Sequence, residues 1–257
     1  MRIGLRRLRS AFSVFRPLIP NSQLIWLREG AKETIGVLGP ARDWDVFQIE
    51  LLDPVIAARP DDPALRAIKT KARAKGRASY RAVRKGLDRA DYTQFALRFG
   101  QWVEARAWHA DADAEMIARR AWSIEDFARK TLKRRQKKVL AAGKEFSRLT
   151  SEQRHDLRIA LKKLRYAAEF FAPLFNKKAL KPLLTSAKKL QNDLGHLNDV
   201  AVAEGLLDEF PARSGKHDIS KAAGIVIGWH LNNGVNVERK LLETWEIFAD
   251  QPMFSVR

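Results

Sequence analysis

Arginine and lysine dominate the residues of this sequence that could do chemistry. In RIGLRRLRSAF, Arg2, Arg6 and Arg9 recur at helical spacing. In HDLRIALKKLRYAAEFF the same spacing is taken by Arg158, Lys162 and Arg165, with Arg154 and His155 at the entrance. Lys69, Arg73 and Arg77 share a face of a third stretch, Lys130, Arg134 and Lys137 run along a fourth beside Lys138, and Lys188 repeats Lys32. Such side chains contact phosphate oxygens, arginine in bidentate fashion and lysine as a point charge. Groups suited to catalysis are scarce. Cysteine is absent, which excludes disulfides, thiolate metal sites and a cysteine nucleophile. His109, His155, His196, His217 and His230 include no pair three or four residues apart and no zinc-type carboxylate pattern, so no metal site is expected. His155, at the mouth of a basic helix, suits an anion contact, and His196 suits a helix junction. Asp43 and Asp199 could share a proton if they met. Each follows a glycine turn, however, where an aspartate caps a helix or holds a basic side chain, and that structural role is the better reading. No P-loop, nucleophile elbow or dinucleotide fingerprint occurs. The expectation is a binding module that is not an enzyme and takes no cofactor.

The charge balance names the kind of partner. The 257 residues carry a formal net charge of +18, and the isoelectric point is near 10.4. An excess of this size destabilises a compact state by self-repulsion and points to an anion. Two like charges 6 Å apart repel by about 0.7 kcal/mol in water and roughly 3 kcal/mol at an effective dielectric of 20. Stripes in open water therefore cost little. Stripes facing one another across a groove cost several kcal/mol unless a polyanion occupies it, and such binding would be salt-sensitive. Hydrophobic residues make up 46% of the chain, enough for a sizeable core. No apolar run is long enough to span a bilayer, and no membrane partner is expected.

The sequence is written twice. An offset of about 156 positions carries Arg2, Ile3, Leu5, Leu8 and Arg9 onto Arg158, Ile159, Leu161, Leu164 and Arg165. It also carries Pro17 onto Pro173, Lys32 onto Lys188, Gly39 onto Gly195 and Asp43 onto Asp199. Roughly 17 of about 45 positions agree without a gap, which is internal duplication. The match also argues against reading the Arg-rich N-terminus as a cleaved transit peptide, since a leader has no reason to copy a deep segment. Both copies have helical periodicity: Leu5, Leu8, Phe12 and Phe15 in one, Leu157, Leu161, Leu164, Ala168 and Phe171 in the other. On a wheel, the apolar sector of the first helix stands roughly 115° from Arg2, Arg6 and Arg9; Arg7 points elsewhere and reads as a surface residue. Thr150 and Gln153 form a capping-box pattern. Gly39 and Gly195 are expected to end helices. Asp61, Asp62 and Pro63 open a long basic helix to about Asp88, a further helix runs from Ala90 to His109, and another from Ser123 to Leu149. No strand is expected. The fold class is all-α: about ten helices in two related bundles, with internal pseudo-twofold symmetry around a basic central groove or pore. The halves are read as 1–115 and 116–257, joined near residues 110–121.

The run RHDLRIALKKLRYAAEFFAPLF with the downstream LQNDLGHLND resembles the second half of a CHAD domain, the conserved histidine α-helical domain. RIGLRRLRSAFSVFRPLI followed by LGPARDWDV resembles its first half, and GLDRADYTQFALRFGQWVE and AAGIVIGWH are also similar to the family pattern. The resemblance spans nearly the whole chain. It implies two four-helix bundles about a pseudo-twofold, a basic central pore, binding of inorganic polyphosphate and association with polyphosphate granules, hence a cytoplasmic location. Carried over by position, it implicates Arg2, Arg6, Arg9, His155, Arg158, Lys162 and Arg165. The position matching His155 in the first half falls before Met1, so the resemblance carries no first-half histidine onto this sequence. No ExExK element of a CYTH-type triphosphate tunnel domain occurs, so a stand-alone module is expected.

The leading expectation is thus a non-catalytic polyphosphate-binding module, with phosphate or sulfate ions able to substitute for the polymer. A nucleic-acid-binding protein is the second reading. It is disfavoured because most aromatics sit at apolar helical positions rather than between the basic residues, where bases would stack. A metal-dependent polyphosphatase using Asp43 and Asp199 is the third.

Overall fold

The helical period of the sequence becomes helix almost everywhere. A computed structural model describes residues 1–214 and 217–252, with the side chains of 177, 179, 213, 214, 217 and 233–237 outside the description. The elements are α1 (Arg2–Val14), α2 (Asn21–Val37), α3 (Gly39–Val46), α4 (Asp53–Ala58), α5 (Pro63–Leu87), α6 (Ala90–Glu104), α7 (Ala114–Arg120), α8 (Ile124–Ala142), α9 (Ser151–Phe171), α10 (Lys177–Asp208) and α11 (Ile219–Ala249). Phe47–Leu52 forms a π-helical stretch between α3 and α4. The fold is all-α. The only departure among the described residues is a two-residue antiparallel ladder, Arg213–Ser214 with His217–Asp218, which no alternating pattern announces.

The local signals act as their chemistry dictates. At the start of α5, the Asp62 carboxylate accepts from the Ala64 and Leu65 amides at 3.0 and 3.2 Å. At the start of α9, the Thr150 hydroxyl accepts from the Gln153 amide at 3.3 Å and the Gln153 side chain accepts from the Thr150 amide at 2.8 Å. This closes the capping box that aims the whole basic helix. Pro17 and Pro173 each sit in a short 3-10 turn directly after their helix, one in each copy of the repeat.

Three boundaries differ from expectation. The helix from Ala90 ends at Glu104 rather than His109, because Arg106 takes a left-handed φ of 47° and Ala107–His109 forms a separate 3-10 turn. The helix opened by Ser123 ends at Ala142 rather than Leu149. Gly143 follows, and a Cβ there would lie 2.1 Å from the Trp245 ring, so that ring occupies the space a continuing side chain would need. Gly195 ends nothing: α10 runs through it to Asp208, whereas Leu38 does separate α2 from α3, which opens at Gly39. A glycine inside a long helix costs only about 1 kcal/mol, and packing of Leu190, Leu194 and Val200 outweighs it.

The chain forms two compact units. The first comprises 1–35, 88–192 and 242–257. Its core includes Phe12, Ile19, Leu24 and Leu27, against which Phe95, Phe99, Trp102 and Trp108 pack. Helix α9 packs on α8 and on α1, burying Leu157, Leu161 and Leu164. Each such leucine contributes roughly 1.5–3 kcal/mol. The second unit comprises 36–87 and 193–241. Its core joins Trp44, Phe47 and Leu51 to Leu65 and Ile68 of α5 and to Leu207 and Val226. The repeat offset of about 156 carries 37–85 onto 193–241, so this unit consists of one segment from each copy.

Candidate functional site

All the expected cations except Lys69, Arg73 and Arg77 fall in the first unit. Helices α1 and α9, the duplicated basic pair, pack on one another there. Residues 2–9 and 158–165, far apart in sequence, thereby share one body. Arg2, Arg6, Arg158 and Lys162 are half-buried, unlike the residues of a solvated face. The Nε atoms of Arg2, Arg154 and Arg158 are out of reach of solvent. Arg9 and His155 are exposed. Arg165 is neutralised within the fold: it pairs with Glu169 one turn on, donates from Nε to Gln191 at 2.9 Å, and lies 4.6 Å over the Tyr166 ring. The Lys130 ammonium sits 3.6 Å over the ring of Trp122. Lys137 and Lys188 are exposed and form no ion pair among the described residues.

In the second unit, Lys69 is tied to Asp53 at 2.8 Å. Arg73 and Arg77 are exposed along α5. The aspartates related by the repeat meet one arginine. Arg42 Nη1 and Nη2 donate to the two oxygens of Asp199 at 3.1 and 3.4 Å, and Nη1 also reaches Asp43 at 3.4 Å. Burial alone would lower the Arg42 pKa, but the two carboxylates outweigh it and raise it, so the guanidinium is held charged. This is the holding role expected of the pair. His196 lies within α10, not at a junction, and its ring is 5.1 Å from that of His230. His230 Nε2 is 2.8 Å from the Leu51 carbonyl. Burial, with His196 beside it, lowers the His230 pKa despite that hydrogen bond. Among the described residues no group of three histidine, aspartate or glutamate side chains could hold a metal, and no helix is long and apolar enough to cross a membrane. The side chain of His217 lies outside the described residues.

The first unit also contains a basic cavity of about 440 Å³, of which the stripes predicted only one wall. Ser13 and Arg16 close it at the end of α1, Arg28 comes from α2, Arg134, Arg135 and Lys138 from α8, and Asp156 and Lys163 from α9. Arg135 is 7% exposed. Its Nη1 donates to the Lys163 carbonyl at 2.9 Å and its Nη2 to the Ser13 hydroxyl at 3.1 Å. Desolvation, with Arg134 alongside, lowers its pKa to about 10, so it stays cationic at neutral pH. Lys163 is lowered too, by desolvation first and then by Arg135, Lys138, Arg28 and Arg9. Four residues of this wall are hard to find from sequence. Arg135 occupies a core-facing position among Phe127, Leu132 and Val139. Lys163 is the repeat partner of Arg7, which reads as surface. Arg16 and Arg28 belong to no stripe. The i, i+4 pair of Arg134 and Lys138 was the one legible signal.

The chain is similar to the crystal structure of the CHAD domain from the plant Ricinus communis, with 26% identity and a TM-score of 0.78 over 100% of this chain and 82% of that one. It shares its fold with PptA from Streptomyces chartreusis, at 11% identity and a TM-score of 0.66 over 95% of this chain and 87% of that one. No curated protein matches the sequence. The sequence model of the CHAD domain matches residues 1–208. With four-fifths of its length matched and the fold in agreement, the chain belongs to the CHAD domain family.

Proposed function

We propose that the protein is a non-catalytic binding module for inorganic polyphosphate. The reading rests on family membership and on one observation of this chain: the duplicated helices α1 and α9 pack together and lodge Arg2, Arg6, Arg158 and Lys162 half-buried in one body. A chain of phosphates supplies closely spaced oxygens for arginine forks and lysine ammonium groups. Arg6, Arg9, Arg134, Lys137 and Lys188 add cations with no ion pair among the described residues. Asp43 and Asp199, the pair a hydrolase would need, are both engaged by Arg42 instead.

The test is titration of long-chain polyphosphate against single-stranded DNA of equal charge at near-physiological salt, where counterion effects on both are matched. Tighter polyphosphate binding is expected, and equal affinity defeats the specificity. Arg158→Glu with Lys162→Glu should weaken polyphosphate binding at least tenfold more than Arg89→Glu with Arg148→Glu, two exposed arginines. Equal losses would mean that net charge alone decides binding.

A further inference from the structure

The basic cavity contains a group that a bare phosphate chain does not call for. Asp156 lines it among Arg134, Arg135, Lys138 and Lys163, and its carboxylate makes no hydrogen bond or ion pair among the described residues. Arg28, Arg134, Lys138 and Lys163 likewise form no ion pair there. Six basic side chains, Arg16 and Arg135 included, have therefore been brought around one space without being neutralised by the carboxylate in the same wall. The cavity is also built, not incidental. Arg135 is more than nine-tenths buried and fixed from two elements, by the Ser13 hydroxyl and the Lys163 carbonyl. It is a different face of α9 from the stripe: Asp156, Ile159, Ala160 and Lys163 lie about 140° around the helix from Arg158, Lys162 and Arg165.

We propose that this cavity is a second binding site, for a compact phosphate ester that carries free hydroxyl groups, that is, a phosphorylated polyol or sugar. The phosphates meet Arg28, Arg134, Lys138 and Lys163, with Arg135 behind them supplying fixed positive charge. A hydroxyl of the ligand donates to Asp156. A carboxylate next to a bound phosphate repels it, so Asp156 penalises any anion that has no donor to offer and favours one that has. The cavity volume of about 440 Å³ suits a small ligand and not a folded-back polymer. Arg134 belongs to both readings, but the inference does not need the polyphosphate reading to hold, since its residues on α9 are separate from Arg158 and Lys162.

The probes are inositol 1,4,5-trisphosphate, which keeps free hydroxyls, inositol hexakisphosphate, in which all are phosphorylated, and tripolyphosphate, which has none. Calorimetric titration of the full chain at near-physiological salt should show binding of the trisphosphate. Asp156→Ala should weaken the trisphosphate about tenfold, the loss of one charge-assisted hydrogen bond. The same substitution should strengthen tripolyphosphate and the hexakisphosphate, because only the repulsion is removed. Lys163→Ala should weaken all three. Arg158→Glu with Lys162→Glu should leave the trisphosphate within about twofold while long-chain polyphosphate binding falls. A change of the same sign for all three ligands in Asp156→Ala, or no trisphosphate binding to the unsubstituted protein at millimolar concentration, overturns the proposal. Asp156 is exposed, and unchanged melting of each variant separates binding from folding.

Discussion

Arg42 offers the sharpest test of how the second unit is held together, and of whether Asp199 is a structural or a catalytic carboxylate. The perturbation is Arg42→Met, which keeps the apolar stem and removes the guanidinium. Asp199 is 9% exposed at its side chain and Arg42 29%, and Arg42 is the only ion-pair partner of Asp199 among the described residues. Stripping one partner from a fully buried pair costs about 3–5 kcal/mol, while exposed pairs contribute about 0–1 kcal/mol. With one member buried and the other partly wet, solvent screens part of the loss, and a cost of about 2 kcal/mol follows. For a chain of this size that is a fall in melting temperature of about 5 °C. The assay is a double-mutant cycle by thermal and urea denaturation with Asp199→Asn, which is nearly isosteric and carries no charge. The two single substitutions should each destabilise, and the double should be less costly than their sum by about 1–2 kcal/mol. Coupling below about 0.5 kcal/mol would refute the claim that the pair is a structural clamp. So would magnesium- or manganese-dependent phosphate release from polyphosphate that disappears in Asp199→Asn while stability is unchanged. That result would make the carboxylate a catalyst.

Two other perturbations address packing and pH. Gly143→Ala places a Cβ 2.1 Å from a Trp245 ring stacked on Phe146 at 5.2 Å, and should cost about 2 kcal/mol by overpacking. Gly36→Ala, in open space on α2, should instead stabilise by about 0.5 kcal/mol; equal melting temperatures for the two variants would contradict the clash. His230 titrates below its ordinary value because it is buried beside His196. The unfolded chain therefore binds a proton at a higher pH than the native state, at about pH 6.5. The contribution to stability is full above that pH and falls away as pH drops from there toward the lowered native value. Melting between pH 7.5 and 5 should show this loss in the native sequence and less of it in His230→Gln, and parallel curves would show that His230 is not the group responsible.

Elements set by local chemistry were legible in the sequence. The capping box at Thr150, the aspartates opening α5, the prolines closing α1 and α9, and the apolar face of α9 all follow from a few neighbouring residues. The residues missed were those whose role depends on partners distant in sequence. Gly143 reads as one more helix position until Trp245, about a hundred residues on, fills the space beside it. Gly195 reads as a stop by analogy with Gly39, but helix packing on both sides overrides its weak local preference. Arg135 enters no stripe of the sequence, because its place is set by Ser13 and the Lys163 carbonyl, which take its donors from distant elements. Arg165 reads as part of the anion-binding stripe, yet Glu169 and Gln191 already occupy it. Periodicity assigns a cation to a face and says nothing about whether the face opposite carries a carboxylate.

The net charge of +18 divides between cations that a carboxylate holds and cations that none among the described residues does. The acidic residues are not spread evenly over the basic ones. Asp53 and Asp199 hold Lys69 and Arg42 against the second unit, Glu209 holds Lys75 at 2.5 Å, and Glu169 holds Arg165 in the first. Where these pairs form, the cation is part of the scaffold, and a substitution there should register chiefly as lost stability. Around Arg134, Lys138 and Lys163 no carboxylate among the described residues closes a pair, although Asp156 stands in the same wall. Gathering like charges around one space without a counter-charge lowers the stability of the unliganded fold. An anion that binds only the folded chain recovers that loss, by about 2.7 kcal/mol at a hundredfold excess over its dissociation constant. Cations that cost the free protein stability and repay it only on binding are the ones to assign to function. The number of positive charges in the sequence does not separate them from the scaffold; the positions of the carboxylates do.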